Sequence, residues 1–417
     1  MNNKIILLWL LFFSYASYGQ KNNLNFDEAR PLGFVLPHGI NKTTIPFEVH
    51  NNLIVIDVVL NHSLPLKFIL DTGVRTTVLT EKSLSDLLNL SYTRKITIPG
   101  LGGEKLVDAF VVNNVSLNIG QVAGNGHAML VLEEDLLQLK NYLGVNVHGI
   151  LGYELFSRFI VKIDYDRELI TFYNLDAFKR RARYIACPIT VEDTKPFLVA
   201  NFIIRGSAPK KGKFLLDTGA SHTVLFDSRS SNDIYLPEPN LATTLGRGIG
   251  GTIYGHVARV DKMWIDKFEF SDIIASYPDS GAYEVSLQHS FRNGTIGGGF
   301  ISRFIIIFDY VNNKLYIRKG HSYKRPFDFN LSGLIIRASG SNLKEYQIDG
   351  VRAESAAEAA GVKVGDKILF VNGIKANTLE MNQLLGALNY KANKKTKLVL
   401  QRTGEKITIR FRLLRQI

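Results

Sequence analysis

The sequence has almost no cysteine, since Cys187 is the only one among 417 residues. An intramolecular disulfide is therefore excluded, and no cysteine is available for a thiol–histidine catalytic pair. The nine histidines form no HExxH motif or close ligand cluster, and neither a GxSxG motif nor a phosphate-binding loop is present. These absences argue against a metal-dependent, serine-type or thiol-type hydrolase, and we expect no cofactor and no metal.

Apolar runs of transmembrane length are also missing. The nine apolar residues Ile5–Phe13 are too few to span a bilayer. They follow Lys4 and precede the small residues Ser17 and Gly19, which is typical of a secretory signal peptide over residues 1–19. With no cysteine at the cleavage position to carry a lipid, we expect an exported protein, periplasmic or secreted; an uncleaved interfacial anchor is the alternative.

Acidic residues are fewer than basic ones, and the formal net charge is +12. Two basic clusters, residues 178–184 and 391–397, could in principle bind phosphate or an anionic membrane. Neither is interleaved with aromatic residues that would stack on bases. We therefore predict solvated surfaces and no nucleic-acid partner.

One phrase occurs twice in the chain. KFILDTGVRTTVL contains Asp71, and KFLLDTGASHTVL contains Asp217, 146 residues later. Downstream, GILGYELFSRFIVKIDYDRELITFYN matches GTIGGGFISRFIIIFDYVNNKLYIRK. Gly152 follows the first aspartate by 81 residues and Gly297 follows the second by 80, a spacing that is hard to reach by chance. The sequence thus contains a first repeat and a second repeat.

Both repeats are rich in alternating apolar and polar residues, which predicts β-hairpins and a mainly β protein. We expect the first repeat to fold over residues 40–176 and the second over residues 184–320. Each also has a glycine-rich stretch that we interpret as a mobile hairpin tip; these stretches contain Gly100, Gly102, Gly103, Gly248, Gly250 and Gly251. The second stretch formally satisfies GxGxxG, but the following TIYGHVARV reads as a strand instead of the helix that a dinucleotide site requires.

A lone aspartate behind an apolar strand should be costly, because burial penalises its charged form. The doubled DTG phrase removes this difficulty and resembles the aspartic endopeptidases of the pepsin and retropepsin kind. The resemblance implies two fused retropepsin-like β-barrel lobes whose aspartates, Asp71 and Asp217, share one proton around a catalytic water. It also implies a polypeptide substrate bound in an extended conformation.

Supporting residues follow from the same resemblance. Thr72 and Thr218 should cross-bond beneath the two aspartates, while Gly73 and Gly219 should let the backbone approach the carboxylates. GILG and GTIG should pass behind the DTG strands, and the glycine-rich hairpins should act as flaps over the peptide.

Three residues in the first repeat depart from the family pattern. Val74 is bulkier than the serine or alanine that usually follows DTG. Arg75 and Glu154 occupy, within one residue, the positions of an ion pair in retroviral proteases, but with reversed polarity. We therefore expect Arg75 and Glu154 to pair with each other; two independent surface charges are the alternative.

The C-terminal region, residues 325–415, has no counterpart in the repeats. Its strand and helix pattern and the sequence GVKVGDKILFVNG resemble a PDZ domain. The resemblance implies a carboxylate-binding loop that captures a C-terminal peptide ligand. That loop would contain Leu331, Ser332, Gly333 and Leu334, and a purely structural role is the alternative.

The sequence therefore predicts an exported aspartic endopeptidase with a PDZ domain that recruits substrate or partner. The rival interpretation is a catalytically inactive peptide-binding or adaptor protein with a retained protease fold.

Overall fold

The computed structural model describes residues 31–99, 106–279 and 291–417. The predicted signal peptide lies outside the described residues, as do three of the predicted flap glycines, Gly100, Gly102 and Gly103. In the described part the protein is mainly β, which confirms the predicted fold class.

The first repeat forms a nine-stranded sheet in the described part of the chain, with the order β3-β4-β5-β12-β6-β11-β8-β7 and β9 paired to β4. Its elements are β1 (Gly33–Val35), β2 (Lys42–Pro46), β3 (Glu48–His50), β4 (Leu53–Leu60), β5 (Leu64–Leu70), β6 (Thr77–Leu79), α1 (Lys82–Leu87), β7 (Tyr92–Pro99), β8 (Leu106–Val115), β9 (Leu117–Asn118), β10 (Ala123–Asn125), β11 (His127–Leu132), α2 (Leu139–Leu143), β12 (Gly149–Leu151), α3 (Tyr153–Arg158), β13 (Ile160–Asp164) and β14 (Leu169–Tyr173).

The second repeat forms the corresponding sheet, in which eight described strands follow the order β16-β17-β18-β23-β19-β22-β21-β20. After a 3₁₀ turn at Leu175–Ala177, its elements are β15 (Ile185–Pro188), β16 (Thr190–Glu192), β17 (Lys195–Ile203), β18 (Lys210–Leu216), β19 (Val224–Phe226), β20 (Asn240–Gly248), β21 (Gly251–Ile265), β22 (Phe268–Pro278), β23 (Gly294–Ile296), α4 (Gly298–Ile301), β24 (Phe304–Asp309), β25 (Lys314–Lys319) and a 3₁₀ turn at His321–Lys324. The segment TIYGHVARV lies in β21 and is a strand, as predicted.

A six-stranded sheet joins the two repeats, in the order β15-β25-β24-β13-β14-β2. Each repeat supplies three strands, and β13 pairs antiparallel with β24 at the centre, where Ile163 faces Ile306. All six residues of β24 are buried, which is typical of a strand covered on both faces. Because the arrangement is two-fold, equivalent loops of the two repeats can meet.

The C-terminal region forms a sheet with the order β26-β27-β28-β30-β31 and β29 paired to β28. Its elements are β26 (Leu334–Ser339), β27 (Glu345–Val351), α5 (Ala356–Ala359), β28 (Lys367–Val371), β29 (Ile374–Lys375), a 3₁₀ turn at Ala376–Thr378, α6 (Met381–Leu388), β30 (Lys395–Arg402) and β31 (Glu405–Arg412). Of these strands and helices, the sequence pattern predicts all except β27 and the short β29.

The apolar cores follow the same division. One buried cluster extends through both repeats, whereas the C-terminal region has a separate buried cluster of its own. The connection between them is fixed on the second repeat, because Arg303 donates to the carbonyls of Arg325 and Pro326 and lies 3.5 Å over the ring of Phe327. The described residues from Leu32 onward belong to one compact unit.

Candidate active site

Each DTG aspartate comes directly after a buried strand, β5 or β18. Strand β12 pairs parallel with β5 and antiparallel with β6, and β23 repeats this arrangement with β18 and β19. The backbone N–H of Asp71 donates to Leu151 O at 2.8 Å, and that of Asp217 donates to Ile296 O at 2.9 Å. GILG and GTIG therefore lie beside the DTG strands, and their carbonyl groups hold the backbone of each aspartate in place.

The two carboxylates face the same small space. Gly73 N donates to Asp71 Oδ1 at 2.6 Å, and Gly219 N donates to Asp217 Oδ1 at 2.9 Å. A Cβ atom built on Gly73 would lie 3.0 Å from an oxygen of each carboxylate, and one built on Gly219 would overlap the Asp71 carboxylate. Only glycine leaves room for this approach.

The proximity of the carboxylates has an electrostatic consequence. Burial raises the pKa of Asp71 well above its usual range, and the neighbouring charge and hydrogen bond of Asp217 raise this pKa further. The Gly73 amide and the charge of Lys195 act in the opposite direction. Because two carboxylates this close cannot both ionise at low cost, the pair retains a proton over a wide pH range.

Two threonines lock the DTG loops together. Thr72 N donates to Thr218 Oγ1 and Thr218 N donates to Thr72 Oγ1, both at 3.1 Å. The hydroxyls in turn donate across the two-fold axis, Thr72 to Leu216 O at 2.7 Å and Thr218 to Leu70 O at 2.8 Å. Both side chains are fully buried, so the cross-bonding that the resemblance implied is present in full.

Tyr310 is a further residue of the site that the sequence analysis does not predict, although Asp-Tyr is part of both repeats. Its hydroxyl is buried and has no partner among the described residues. Burial raises its pKa well above the usual range, and the charges of Asp71 and Asp217 add to the effect. Tyr310 therefore stays neutral close to the carboxylates, and the repeated Asp-Tyr dipeptide was the available signal.

The predicted pairing of Arg75 with Glu154 is wrong. Arg75 Nη1 lies 3.5 Å from Asp193 Oδ1, which belongs to the turn between β16 and β17 in the other repeat. Glu154 lies 2.6 Å from His127 Nδ1. The two-fold arrangement brings the hairpin of the second repeat to the first DTG loop, so the nearest acid to Arg75 comes from a distant part of the sequence.

Three predicted flap glycines lie at the tip of the β20–β21 hairpin. Gly248 pairs with Gly251 across this tip, which also contains Gly250. Next to them, Ile249 packs on a buried apolar cluster of the first repeat, and Val74 packs on the same cluster. The tip of a second-repeat hairpin thus reaches the other repeat.

The predicted carboxylate-binding loop leads into β26, but most of its donors are already used. Leu331 N donates to Asn389 Oδ1 at 2.8 Å, Gly333 N to Asn330 Oδ1 at 3.0 Å, and Leu334 N to Ser332 Oγ at 3.3 Å. Leu331 and Ser332 are themselves buried. A carboxylate docking here would have to compete with bonds inside the loop.

Within residues 31–99, 106–279 and 291–417, no group of three or more histidine, cysteine, aspartate or glutamate side chains could hold a metal ion.

Comparison with known families gives two matches. The family model described as aspartyl protease matches residues 56–155 and again residues 200–300. The model of the PDZ domain matches residues 347–402. No curated protein matches the chain. Both aspartates fall inside the two matched regions, at equivalent positions.

Proposed function

We propose that the protein is an aspartic endopeptidase with Asp71 and Asp217 as its catalytic residues, because the aspartyl protease model matches two regions of the chain and the PDZ model matches a third. The proposal divides the chain into a first lobe at residues 40–176, a second lobe at 184–320 and a PDZ domain at 325–415.

One observation carries this proposal: the two carboxylates converge on one space, and burial together with the neighbouring Asp217 raises the pKa of Asp71. General acid–base catalysis of peptide hydrolysis needs one ionised and one protonated group on the same water. A pair that retains a single proton supplies both states at once.

The reaction follows from that shared proton. A water between the carboxylates attacks the peptide carbonyl carbon, and the ionised carboxylate takes the proton that the water loses. The protonated carboxyl donates to the carbonyl oxygen as negative charge develops there. Transfer of a proton to the amide nitrogen then allows the carbon–nitrogen bond to break, which yields a new carboxylic acid and a new amine. The two residues form a coupled pair, so the roles belong to the pair.

The proposed substrate is a polypeptide bound in an extended conformation. The β20–β21 hairpin, with Gly248, Gly250 and Gly251 at its tip, is proposed to be a flap that closes over the peptide and excludes water. A PDZ domain is a peptide-binding module, and peptide binding by residues 325–415 is part of the proposal.

Export is the remaining part of the proposal. It rests on the signal-peptide pattern of residues 1–19, with cleavage before Gln20. Among the described residues, no helix has both the length and the apolar character needed to cross a bilayer.

Mass-spectrometric profiling of an unstructured peptide library tests the catalytic assignment. The wild type should produce new peptide termini, whereas Asp71→Asn and Asp217→Asn should each lower kcat by at least ~10³-fold with the fold retained. Asp57→Asn is the matched control, because Asp57 is an exposed aspartate on β4 in the same repeat. It should cleave as the wild type does.

Two outcomes contradict the proposal. If the wild type binds the peptides and cleaves none of them, the protein is a peptide-binding adaptor with a retained protease fold. If either asparagine variant keeps most of its activity, the two aspartates do not act as a pair.

A further inference from the structure

In the PDZ domain we define the groove as the surface between the edge strand β26 and helix α6, which share one buried apolar cluster. Strand β26 pairs only with β27 among the described strands, so its other edge is open. In PDZ domains an extended peptide adds to such an edge and places side chains against the neighbouring helix. Here Met381 and Leu388 belong to α6 and to the same buried cluster as β26.

A segment of the first repeat, residues 139–144, already lies at this groove; we name it the docking segment. Asn141 Nδ2 donates to Ala338 O of β26 at 2.9 Å. At the end of the segment, Gly144 lies so close to Met381, the first residue of α6, that a Cβ on the glycine would overlap that side chain. The docking segment therefore contacts both walls of the groove.

A second contact ties α6 to the first repeat. Asn382 Nδ2 donates to Val49 O at 2.7 Å, and Asn51 N donates to Asn382 Oδ1 at 3.4 Å. The same turn continues to Asn52, whose Nδ2 donates to Ser221 O in the loop that follows the second DTG. The PDZ domain is thus anchored on a turn that touches the other half of the active site.

The docking segment also reaches the flap. The Tyr142 hydroxyl donates to Asp349 Oδ2 of the PDZ domain at 2.8 Å and accepts from Arg247 Nη1 at 2.9 Å. The Arg247 guanidinium lies 5.1 Å from the centre of the Tyr142 ring, within the range of a cation–π contact. Arg247 immediately precedes Gly248 at the hairpin tip. One tyrosine therefore links the PDZ domain to the flap.

We propose that the β26–α6 groove is an intramolecular docking site whose occupant is residues 139–144, and that through Tyr142 it holds the flap of the second repeat over the candidate active site. The proposal assigns the PDZ domain a partner within its own chain. It agrees with the carboxylate-binding loop, where the amides of Leu331, Gly333 and Leu334 are bonded internally. The term flap rests on the proposed function, whereas the link itself does not.

A peptide that binds the groove in trans has to displace the docking segment. The flap would then lose the Tyr142 contact, so occupation of the PDZ domain and mobility of the hairpin tip are coupled. Coupling of this kind requires an element with two states whose equilibrium is shifted by ligands at both sites. The docking segment is that element, and its docked and released positions are the two states.

Hydrogen exchange of the full chain without substrate tests the link, and it needs no catalytic activity. Two segments are followed, the hairpin tip at 246–251 and the edge strand at 334–339. Tyr142→Phe removes the hydroxyl and should speed exchange at the tip about 3- to 10-fold, as expected for the loss of one typical hydrogen bond. Tyr390→Phe is the matched control, since this PDZ-domain side chain is 73% exposed.

Asp349→Ala is the decisive variant, because Asp349 lies on β27 of the PDZ domain and bonds the tyrosine, which in turn bonds the flap. It should speed exchange at residues 246–251 in the same direction, and the double variant with Tyr142→Phe should add little beyond the larger single effect. Asn141→Ala should speed exchange at 334–339, whereas Asn113→Ala, at an exposed position of β8, should not.

The proposal is overturned if Asp349→Ala leaves exchange at 246–251 unchanged while Tyr142→Phe raises it, since the tyrosine would then act locally. It is also overturned if both variants leave the tip unchanged. Unchanged exchange at 334–339 in Asn141→Ala would show that the docking segment does not occupy the groove. None of these results bears on whether Asp71 and Asp217 are catalytic.

Discussion

Replacing Thr218 with valine should destabilise the whole protein, because the substitution removes two hydrogen bonds while it hardly changes the shape of the side chain. The Thr218 hydroxyl accepts from Thr72 N at 3.1 Å and donates to Leu70 O at 2.8 Å, and it is fully buried. Valine has nearly the same volume but no hydroxyl. The substitution therefore leaves one buried N–H and one buried carbonyl of the first repeat without a partner.

The expected magnitude follows from that count. Each unsatisfied buried group costs about 1–3 kcal/mol, so Thr218→Val should lower the free energy of unfolding by about 2–6 kcal/mol. Domains of this kind have a total stability of about 5–15 kcal/mol, so the loss is large. The DTG loops would also lose half of their connection, and kcat should fall because the carboxylates are no longer held together.

Urea unfolding followed by the fluorescence of Trp264 measures this loss, since Trp264 is the only tryptophan from residue 20 onward. The control is Thr218→Ser, which keeps the hydroxyl and loses one methyl, worth about 0.8 kcal/mol. If the valine and serine variants agree within about 0.5 kcal/mol, the buried hydroxyl contributes nothing and the reasoning is refuted.

Three further predictions concern the same site. Burial and Asp217 raise the pKa of Asp71 in the folded state, so the wild type is destabilised above that pKa and gains stability as pH falls toward the unfolded value of about 3.9. Asp71→Asn should therefore be more stable than the wild type in urea at pH 8, and this difference in unfolding free energy should shrink near pH 4. A difference that is larger near pH 4 than at pH 8 would contradict the reasoning. Because Val74 and Ala220 have no hydroxyl to stabilise the ionised pair, kcat/KM on one peptide should peak above about pH 3.5, and replacing both with serine should move the profile toward acid; a more acidic wild-type maximum contradicts this. Gly152→Ala would place a methyl against the Asp71 carbonyl, whereas an added Cβ at Gly246 meets nothing within 4 Å. Thermal melting should therefore show a large loss of stability for Gly152→Ala and a change of less than about 1 kcal/mol for Gly246→Ala.

The sequence alone determined the parts of the protein that depend on repetition and on local pattern. Two DTG phrases with matched downstream glycines required two equivalent aspartates, and the alternating apolar residues required strands. The cross-bonds of Thr72 and Thr218 came from the resemblance, and they hold because the two-fold arrangement places identical tripeptides face to face. In the C-terminal region the pattern missed β27, whose sequence EYQIDGV has a glycine just before its last residue and carries charges on its exposed face.

The tertiary structure alone decided the contacts between charges and between domains. The sequence shows that Arg75 is charged but does not show its partner, because the partner of a long side chain on a loop depends on which residues the fold places nearby. Here that partner is Asp193, 118 residues away. Tyr142, Asp349 and Arg247 come from three separate stretches with no shared motif. Apolar periodicity reports which face of an element is buried; a hydrogen bond between distant side chains leaves no such period, and it exists only once the elements have packed.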